Sequence, residues 1–99
     1  MLLVVDIGNT NIVWGVYNDR TLAAHWRLAT EVKKTSDEYG ILFVSLLAAV
    51  GIPPPLISGA IVSSVVPALT GTFEDMLEQY FHQRPLVVTS DTDTGLTLR

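Results

Sequence analysis

One charged side chain interrupts an apolar stretch near the start of the chain. Asp6 follows the apolar residues 2–5, and the sequence Ile7-Gly8-Asn9-Thr10-Asn11 separates it from the next apolar run. Because an unpaired buried charge is costly, this carboxylate must be solvated, paired or bound to a ligand. Packing gives no reason for an acid at this position, so the segment is the first candidate for chemistry.

Phosphate binding is the chemistry that these residue types suit best. Gly8 can take backbone angles closed to other residues and lets a ligand approach the main chain, and the amides that follow it can form an anion-binding concavity. Thr10 and its two neighbouring asparagines can donate to phosphate oxygens, while Asp6 can hold Mg²⁺ directly or through water. The alternative is an ordinary hairpin turn, in which asparagine and glycine supply only the backbone angles.

Hydropathy patterns predict that three antiparallel strands surround this segment. The strand over residues 2–7 is apolar on both faces, which is typical of a central strand. Residues 12–17 continue in a β-branched and aromatic pattern, and residues 22–28 alternate in the way of a strand with one wet face. Asp6 therefore lies at the end of the first strand of a hairpin.

Two helices alternate with two further strands in the rest of the chain. Thr35 and Glu38 form the pattern of a capping box, and Pro67 suits the first position of a second helix. The strands are predicted over residues 58–66 and 85–88, followed by a polar loop over 90–94. The helices should bury two apolar stripes: Tyr39, Leu42, Phe43, Leu46, Leu47 and Val50 in the first, and Leu69, Phe73, Met76, Leu77, Tyr80 and Phe81 in the second.

This order of elements predicts an α/β fold. Right-handed connections give a mixed five-stranded sheet, with three antiparallel strands, then helix-strand-helix-strand, and with the helices packed on its faces. It is a ribonuclease-H-like arrangement, which occurs in each half of proteins of the actin, sugar kinase and Hsp70 superfamily. Because one fold supports many chemistries, function must be argued from the site.

Composition excludes several other classes of function. The 99 residues carry a net charge of −4 without a basic run, which argues against nucleic acid or an anionic membrane as the main partner. The chain has no cysteine, no signal peptide pattern and no apolar stretch near the roughly 20 residues that span a bilayer, so we expect a cytoplasmic protein. The 48% apolar content suggests that a partner or further segment covers one face.

A few other side chains were weighed as site residues. Ser63 and Ser64 end the fourth strand, where they either line the cleft with hydroxyls or simply occupy a solvated strand end. The remaining candidates are best explained as structural or loop residues: His25, His82, Tyr80, Phe81, Asp91 and Asp93.

Four segments, DIGNTNIVWGVY, TSDEYG, SSVVP and TGLTLR, together resemble type III pantothenate kinase in content and spacing. The resemblance covers the whole chain, which corresponds to roughly the amino-terminal half of that family. It implies ATP-dependent phosphorylation of pantothenate, the first step of coenzyme A biosynthesis, with this chain supplying the nucleotide phosphate-binding half. The residues that match the family's ATP-binding stretch are Asp6, Ile7, Gly8, Asn9, Thr10, Asn11, Ile12 and Val13, with Asp6 as the metal-binding residue.

The resemblance also implies what lies elsewhere in such a protein. Residues 1–99 would form one ribonuclease-H-like domain, and a second domain, absent here, would bring the catalytic base from beyond Arg99 and a site for a monovalent cation, K⁺ or NH₄⁺. A homodimer is expected, and residues 1–99 alone should be inactive. Two alternatives stay open: a non-catalytic nucleotide-binding regulator or transcriptional accessory protein of the same family, and an isolated interaction domain.

Overall fold

A computed structural model describes residues 1–89 of the chain, so the expectations for Asp91, Asp93, the loop over 90–94 and the TGLTLR segment lie outside the described residues. The described part forms one five-stranded sheet, as predicted. Its strands are β1 (Leu2–Ile7), β2 (Asn11–Asn18), β3 (Thr21–Ala29), β4 (Gly59–Ser64) and β5 (Leu86–Thr89). They are arranged in the order β3-β2-β1-β4-β5, with β1 antiparallel to β2 and parallel to β4.

Two helices connect the later strands. Helix α1 (Ser36–Ala49) begins at the predicted capping box: the amide of Glu38 donates to Oγ1 of Thr35 at 3.2 Å, and the amide of Thr35 donates to Oε1 of Glu38 at 3.0 Å. Helix α2 (Pro67–Phe81) begins at the predicted proline, and a 3₁₀ turn (Pro54–Leu56) precedes β4. Neither helix within residues 1–89 has the length and hydropathy needed to cross a membrane.

The end of α1 corrects one predicted core position. Val50 was expected in the buried stripe, but half of its surface is exposed. Gly51 takes a φ of 76° directly after it, and the amide of Ile52 donates to the carbonyl of Leu47 at 3.0 Å. This Schellman-type ending turns the chain back, so Ile52 fills the core position instead of Val50.

The predicted extent of β4 was also too long at its carboxyl end. Residues 65 and 66 leave the sheet, and the amide of Val65 donates instead to the carbonyl of Ile7 at 3.1 Å. Val66 then serves as the N-terminal cap residue of α2. The apolar run continues through this exit, which is why hydropathy alone placed it in the strand.

Both helices pack against the same face of the sheet. The helix-covered face is lined by Leu3, Val5 and Ile7 of β1, which have no exposed surface, and by the inward residues of its neighbours. The opposite face is not covered by α1 or α2, and we call it the helix-free face. It includes Leu2, Val4, Asp6, Val13, Gly15, Tyr17, His25, Arg27, Ile61 and Ser63. Asp6 belongs to the helix-free face because side chains alternate along a strand.

Aromatic rings join the helices to the sheet. Trp14 of β2 stacks between Trp26 of β3, at a centroid distance of 4.3 Å, and Phe43 of α1, at 3.7 Å. Helix α2 then packs on α1 at Gly40, where any side chain would collide with the ring of Tyr80. This packing fixes α1 over the hairpin that carries the candidate site.

Candidate phosphate-binding turn

Three residues, 8–10, connect β1 to β2 in a tight hairpin turn. The amide of Gly8 donates to the carbonyl of Asn11 at 2.9 Å and closes the turn, which leaves Asn9 and Thr10 exposed at its tip. Neither tip residue has a positive φ, so the connection is not the type I′ turn that two-residue hairpins commonly use.

Gly8 has two expected uses, an unusual backbone conformation or the close approach of a ligand. Its φ is not positive, so the first is not observed, and the second stays a prediction. A Cβ atom at this position would instead lie 3.1 Å from the carbonyl oxygen of Asn11, which is the acceptor of the bond that closes the turn. A side chain at this position would therefore crowd the closing bond of the turn.

Most carbonyl oxygens of the turn are already bonded within the protein. The carbonyl of Ile7 accepts from the amide of Val65, and that of Gly8 accepts from Oγ1 of Thr30 at 2.7 Å. The carbonyl of Thr10 accepts from the amide of Thr30 at 2.9 Å. These bonds turn the acceptors of the loop inward, toward the end of β3 and the start of α2.

The amides at the tip of the turn are left as free donors. Within residues 1–89, neither Asn9 nor Thr10 donates its backbone amide to another group. Both residues are exposed, and each adds a polar side chain to the same tip. Within residues 1–89 the tip thus has two backbone donors without a partner, while the carbonyls of Gly8 and Thr10 are bonded to Thr30, an arrangement that suits an anion.

Asp6 lies beside this turn on the helix-free face. Its register partners are Val13 on β2 and Ser63 on β4, and its carboxylate is half-buried. It is the only acidic residue in any of the five strands of the described chain. Because the described strands contain no second acidic residue, Asp6 does not belong to a general pattern of acidic side chains that keeps the sheet surface solvated.

The eight predicted binding residues form one contiguous hairpin, but their side chains do not share one direction. Ile7 and Ile12 are fully buried on the helix-covered face, so they can contribute only their backbone to a site. Val13 is half-buried and lies on the same face as Asp6. Side-chain chemistry at this hairpin is therefore limited to Asp6, the two asparagines and Thr10.

The two serines at the end of β4 separate into two roles. Ser63 lies next to Asp6 on the helix-free face. Ser64 is buried, where its Oγ accepts from the amide of Val66 and from Oγ1 of Thr70, and donates to the carbonyl of Val66. Only Ser63 is placed to line a cleft, whereas Ser64 organises the first turn of α2.

Thr30 and Tyr39 are part of the site's architecture, although the sequence placed one in a polar connection and the other only in a core stripe. The hydroxyl of Tyr39 accepts from the amide of Glu31 at 3.1 Å and donates to its carbonyl at 2.8 Å. Burial raises the pKa of Tyr39 above its ordinary value, so the hydroxyl stays protonated and able to donate. Arg27, paired with Val13, places a cation on the same face as Asp6.

The other candidates lie where structural residues are expected. His25 is exposed on an edge strand, His82 ends α2 with a φ of 56°, and Phe81 is buried. Tyr80 is half-buried against α1 and donates to Oδ1 of Asp37 at 2.7 Å. A surface cavity of ≈ 410 Å³ lies elsewhere, lined by residues of α2 and of the segment before β5, and none of the turn residues line it.

The donor set around Asp6 fits a magnesium ion that is held mainly by phosphate. No group of three or more histidine, cysteine or acidic side chains in residues 1–89 is arranged to hold a metal by itself. Mg²⁺ typically keeps several waters and takes one or two carboxylates together with substrate phosphates. A single half-buried carboxylate beside free amides meets that requirement, and Asp6 would be the protein ligand.

Solved structures of sugar kinases have the same fold. Residues of this chain superpose on a ROK hexokinase from Thermus thermophilus with a TM-score of 0.66 and 11% identity, covering 89% of this chain and 34% of the hexokinase. A putative N-acetylglucosamine kinase from Porphyromonas gingivalis gives a TM-score of 0.63 and 18% identity, over 90% of this chain and 34% of that one. The architecture is therefore that of one domain of the sugar kinase fold.

Sequence comparisons identify the family to which the chain belongs. A family profile described as type III pantothenate kinase matches residues 2–99. The type III pantothenate kinase of Halalkalibacterium halodurans is 46% identical over 99 residues, which cover 100% of this chain and 39% of that protein. The one from Roseiflexus sp. is 50% identical over 96 residues, 97% of this chain and 38% of that protein. The chain belongs to the type III pantothenate kinase family, and it spans about two fifths of the length of these relatives.

Proposed function

We propose that the full-length protein is an ATP-dependent pantothenate kinase, and that the turn after β1 holds the phosphates of its nucleotide. The product would be the phosphorylated pantothenate that begins coenzyme A biosynthesis. Membership of the family supports the reaction, and the geometry of the hairpin supports the assignment of the ATP half to residues 1–99.

The observation that carries the proposal is the separation of donors and acceptors in the turn. The amides of Asn9 and Thr10 donate to no group within residues 1–89, while the carbonyls of Ile7, Gly8 and Thr10 are bonded elsewhere in the protein. A polyanionic ligand gains hydrogen bonds from such a turn without repulsion from its carbonyl oxygens.

Each residue of the hairpin then has a defined task. Thr10 and the neighbouring asparagines donate to phosphate oxygens, and Gly8 keeps the turn narrow enough for close approach. Asp6 would hold Mg²⁺, and the bound ion would supply charge neutralisation at the transferring phosphoryl group. Since phosphoryl transfer depends mainly on positioning and electrostatic stabilisation, no proton transfer is assigned to Asp6.

The remaining parts of the enzyme are proposed to lie beyond residue 99. These are the base that removes the proton from the pantothenate hydroxyl, the site for K⁺ or NH₄⁺, and a second domain that closes the cleft. The expected homodimer and cytoplasmic location belong to the same proposal. Residues 1–99 alone would lack turnover, because one half of a cleft cannot align two substrates.

A coupled assay of ADP release tests the function on the full-length protein. With ATP, Mg²⁺ and K⁺ present, we expect turnover that depends on added pantothenate, and none from residues 1–99 made alone. A protein that binds ATP but releases no ADP with pantothenate would be a nucleotide-binding regulator instead. A protein that binds no ATP would overturn both readings.

A further inference from the structure

We propose that Thr30 is a positioning residue that holds the phosphate-binding turn in its donor-outward form. This inference rests on the proposed function and extends it to a residue outside the hairpin. Thr30 follows the last residue of β3 and is 20 positions from Thr10, yet it contacts both ends of the turn.

Thr30 donates hydrogen bonds to two carbonyl groups of the same turn. Its Oγ1 donates to the carbonyl of Gly8 at 2.7 Å, and its amide donates to the carbonyl of Thr10 at 2.9 Å. The two bonds fix the Gly8–Asn9 and the Thr10–Asn11 peptide planes, which lie on either side of the tip of the turn. The amide of Asn9 belongs to the same peptide plane as the carbonyl of Gly8 and points the opposite way. Holding that carbonyl inward therefore holds the Asn9 amide outward.

Thr30 is itself fixed by its neighbours in the chain. Ala29 pairs with Asn11 at the end of the β2–β3 ladder, and the hydroxyl of Tyr39 bonds both the amide and the carbonyl of Glu31. The ring of Tyr39 is fully buried between the helices and the sheet. The turn is thus tied through Thr30 to the hydrophobic core, which limits its movement before a ligand arrives.

Preorganisation of this kind should appear in binding rather than in folding. Without the Thr30 hydroxyl, the Gly8–Asn9 peptide is free to rotate, and part of the binding energy is spent on ordering it. The Thr30 hydroxyl is already used in its bond to the carbonyl of Gly8, so no role as a metal ligand is assigned to it. Thr30 therefore acts through the turn.

The test uses the full-length protein with Thr30→Val, Thr30→Ser and a control, Thr21→Val. Valine keeps the β-branched shape and the backbone bond to Thr10 but removes the hydroxyl donor, and serine restores it. Thr21 begins β3 at the opposite, exposed end and has the same strand preference. We expect Thr30→Val to weaken ATP binding at least tenfold by calorimetry and to raise KM for ATP more than it lowers kcat. Thr30→Ser should stay within about threefold of wild type, and Thr21→Val should not differ from it.

A second measurement separates the positioning role from the proposed function. Amide NMR shifts of Asn9 and Thr10 in the nucleotide-free protein should move in Thr30→Val and return in Thr30→Ser. Unmoved shifts, or unchanged ATP affinity in Thr30→Val when the wild type binds ATP, would overturn the positioning role. A wild type that binds no ATP would overturn the proposed function, and with it the phosphate role of the turn, while the shifts would still decide whether Thr30 holds the turn.

Discussion

Asp6 and Ser63 are paired in register on the adjacent parallel strands β1 and β4, and both side chains lie on the face of the sheet that meets neither helix. A carboxylate and a hydroxyl thus stand side by side at the carboxyl ends of the two central parallel strands. Ligands of open α/β sheets bind at the carboxyl ends of parallel strands. The candidate site therefore lies at the carboxyl-terminal end of the two central strands, beside the turn that Thr30 holds.

Replacing the strand acid should affect turnover far more than folding. We expect Asp6→Asn in the full-length protein to lower kcat at least about 100-fold, which corresponds to ~2.7 kcal/mol of transition-state stabilisation. The control is Asp19→Asn, at the exposed β2–β3 turn where φ is 57° and asparagine is well tolerated. Steady-state kinetics beside thermal melts decide the matter. Normal turnover of Asp6→Asn at saturating Mg²⁺ would exclude the metal role.

A methyl group at Gly8 should damage the turn without dismantling the sheet. The added Cβ would lie 3.1 Å from the carbonyl of Asn11, whereas at Gly59 it would make an ordinary contact of 3.4 Å with the side chain of Leu2. We expect Gly8→Ala to weaken ATP binding at least tenfold by calorimetric titration and Gly59→Ala to leave it unchanged. Equal affinities in the two variants would show that the shape of the turn does not control binding.

Substitution by alanine at two helical glycines should change the free energy of unfolding in opposite directions. A side chain at Gly40 meets the ring of Tyr80, whereas one at Gly71 meets nothing within 4 Å. Gly40→Ala should cost about 1–3 kcal/mol in the free energy of unfolding through overpacking between α1 and α2. Gly71→Ala should gain roughly 0.5–1 kcal/mol from the better helix propensity of alanine. Urea titrations measure both, and a stabilised Gly40→Ala would contradict the packing of Tyr80 on α1.

The capping box of α1 should make stability depend on pH. The backbone hydrogen bond from Thr35 lowers the pKa of Glu38 below its ordinary value of 4.5, aided by the Thr35 side chain and by the charge of Lys34. A carboxyl group with a lowered folded pKa stabilises the protein above the unfolded value, and that stability disappears as the pH falls through the folded pKa. The difference in melting temperature between wild type and Glu38→Gln should therefore shrink below pH 4.5. Glu74→Gln, which removes an exposed carboxylate in the interior of α2, is the control, and a pH-independent difference at Glu38 would refute the charged cap.

The two neighbouring serines of β4 should differ in how much they contribute to the free energy of unfolding. Ser64→Ala removes a buried hydroxyl that bonds Val66 and Thr70, so we expect a loss of about 1–3 kcal/mol in unfolding free energy. Ser63→Ala should change stability by less than about 0.5 kcal/mol, because its side chain lies on the less covered face. Chemical denaturation of both variants is the measurement. A destabilised Ser63→Ala beside a neutral Ser64→Ala would reverse the assignment.

Local patterns were sufficient to predict the elements and the position of Asp6. Strand β1 has the predicted bounds, and the capping box at Thr35 forms as its residue types require. These features depend on residues a few positions apart, where hydropathy period and side-chain chemistry act directly. The same locality explains why a single acid in an apolar strand was visible as a candidate before any fold was known.

Contacts between distant residues were not predictable in the same way. The bond from Thr30 to Gly8 joins positions 22 apart, and only the registers of β1 with β2 and of β2 with β3 bring them together. The orientation of Ser63 and Ser64 likewise depends on the register between β1 and β4, because a shift of one residue exchanges the faces. Register is fixed by the whole sheet, and a short motif does not contain it.

The stacked rings of Trp14, Trp26 and Phe43 give the domain a spectroscopic label of its own. Residues 1–99 contain two tryptophans, and both belong to this stack, with interplanar angles of 29° between the indoles and 7° between Trp14 and the phenyl ring. Indoles this close couple their electronic transitions, so their near-ultraviolet circular dichroism reports the pairing of β2 with β3. Phe43 of α1 covers Trp14, which is buried, so a shift of the Trp14 emission to shorter wavelength would report the docking of α1. Circular dichroism and tryptophan emission can thus follow the pairing of β2 with β3 and the packing of α1 separately, without an added dye.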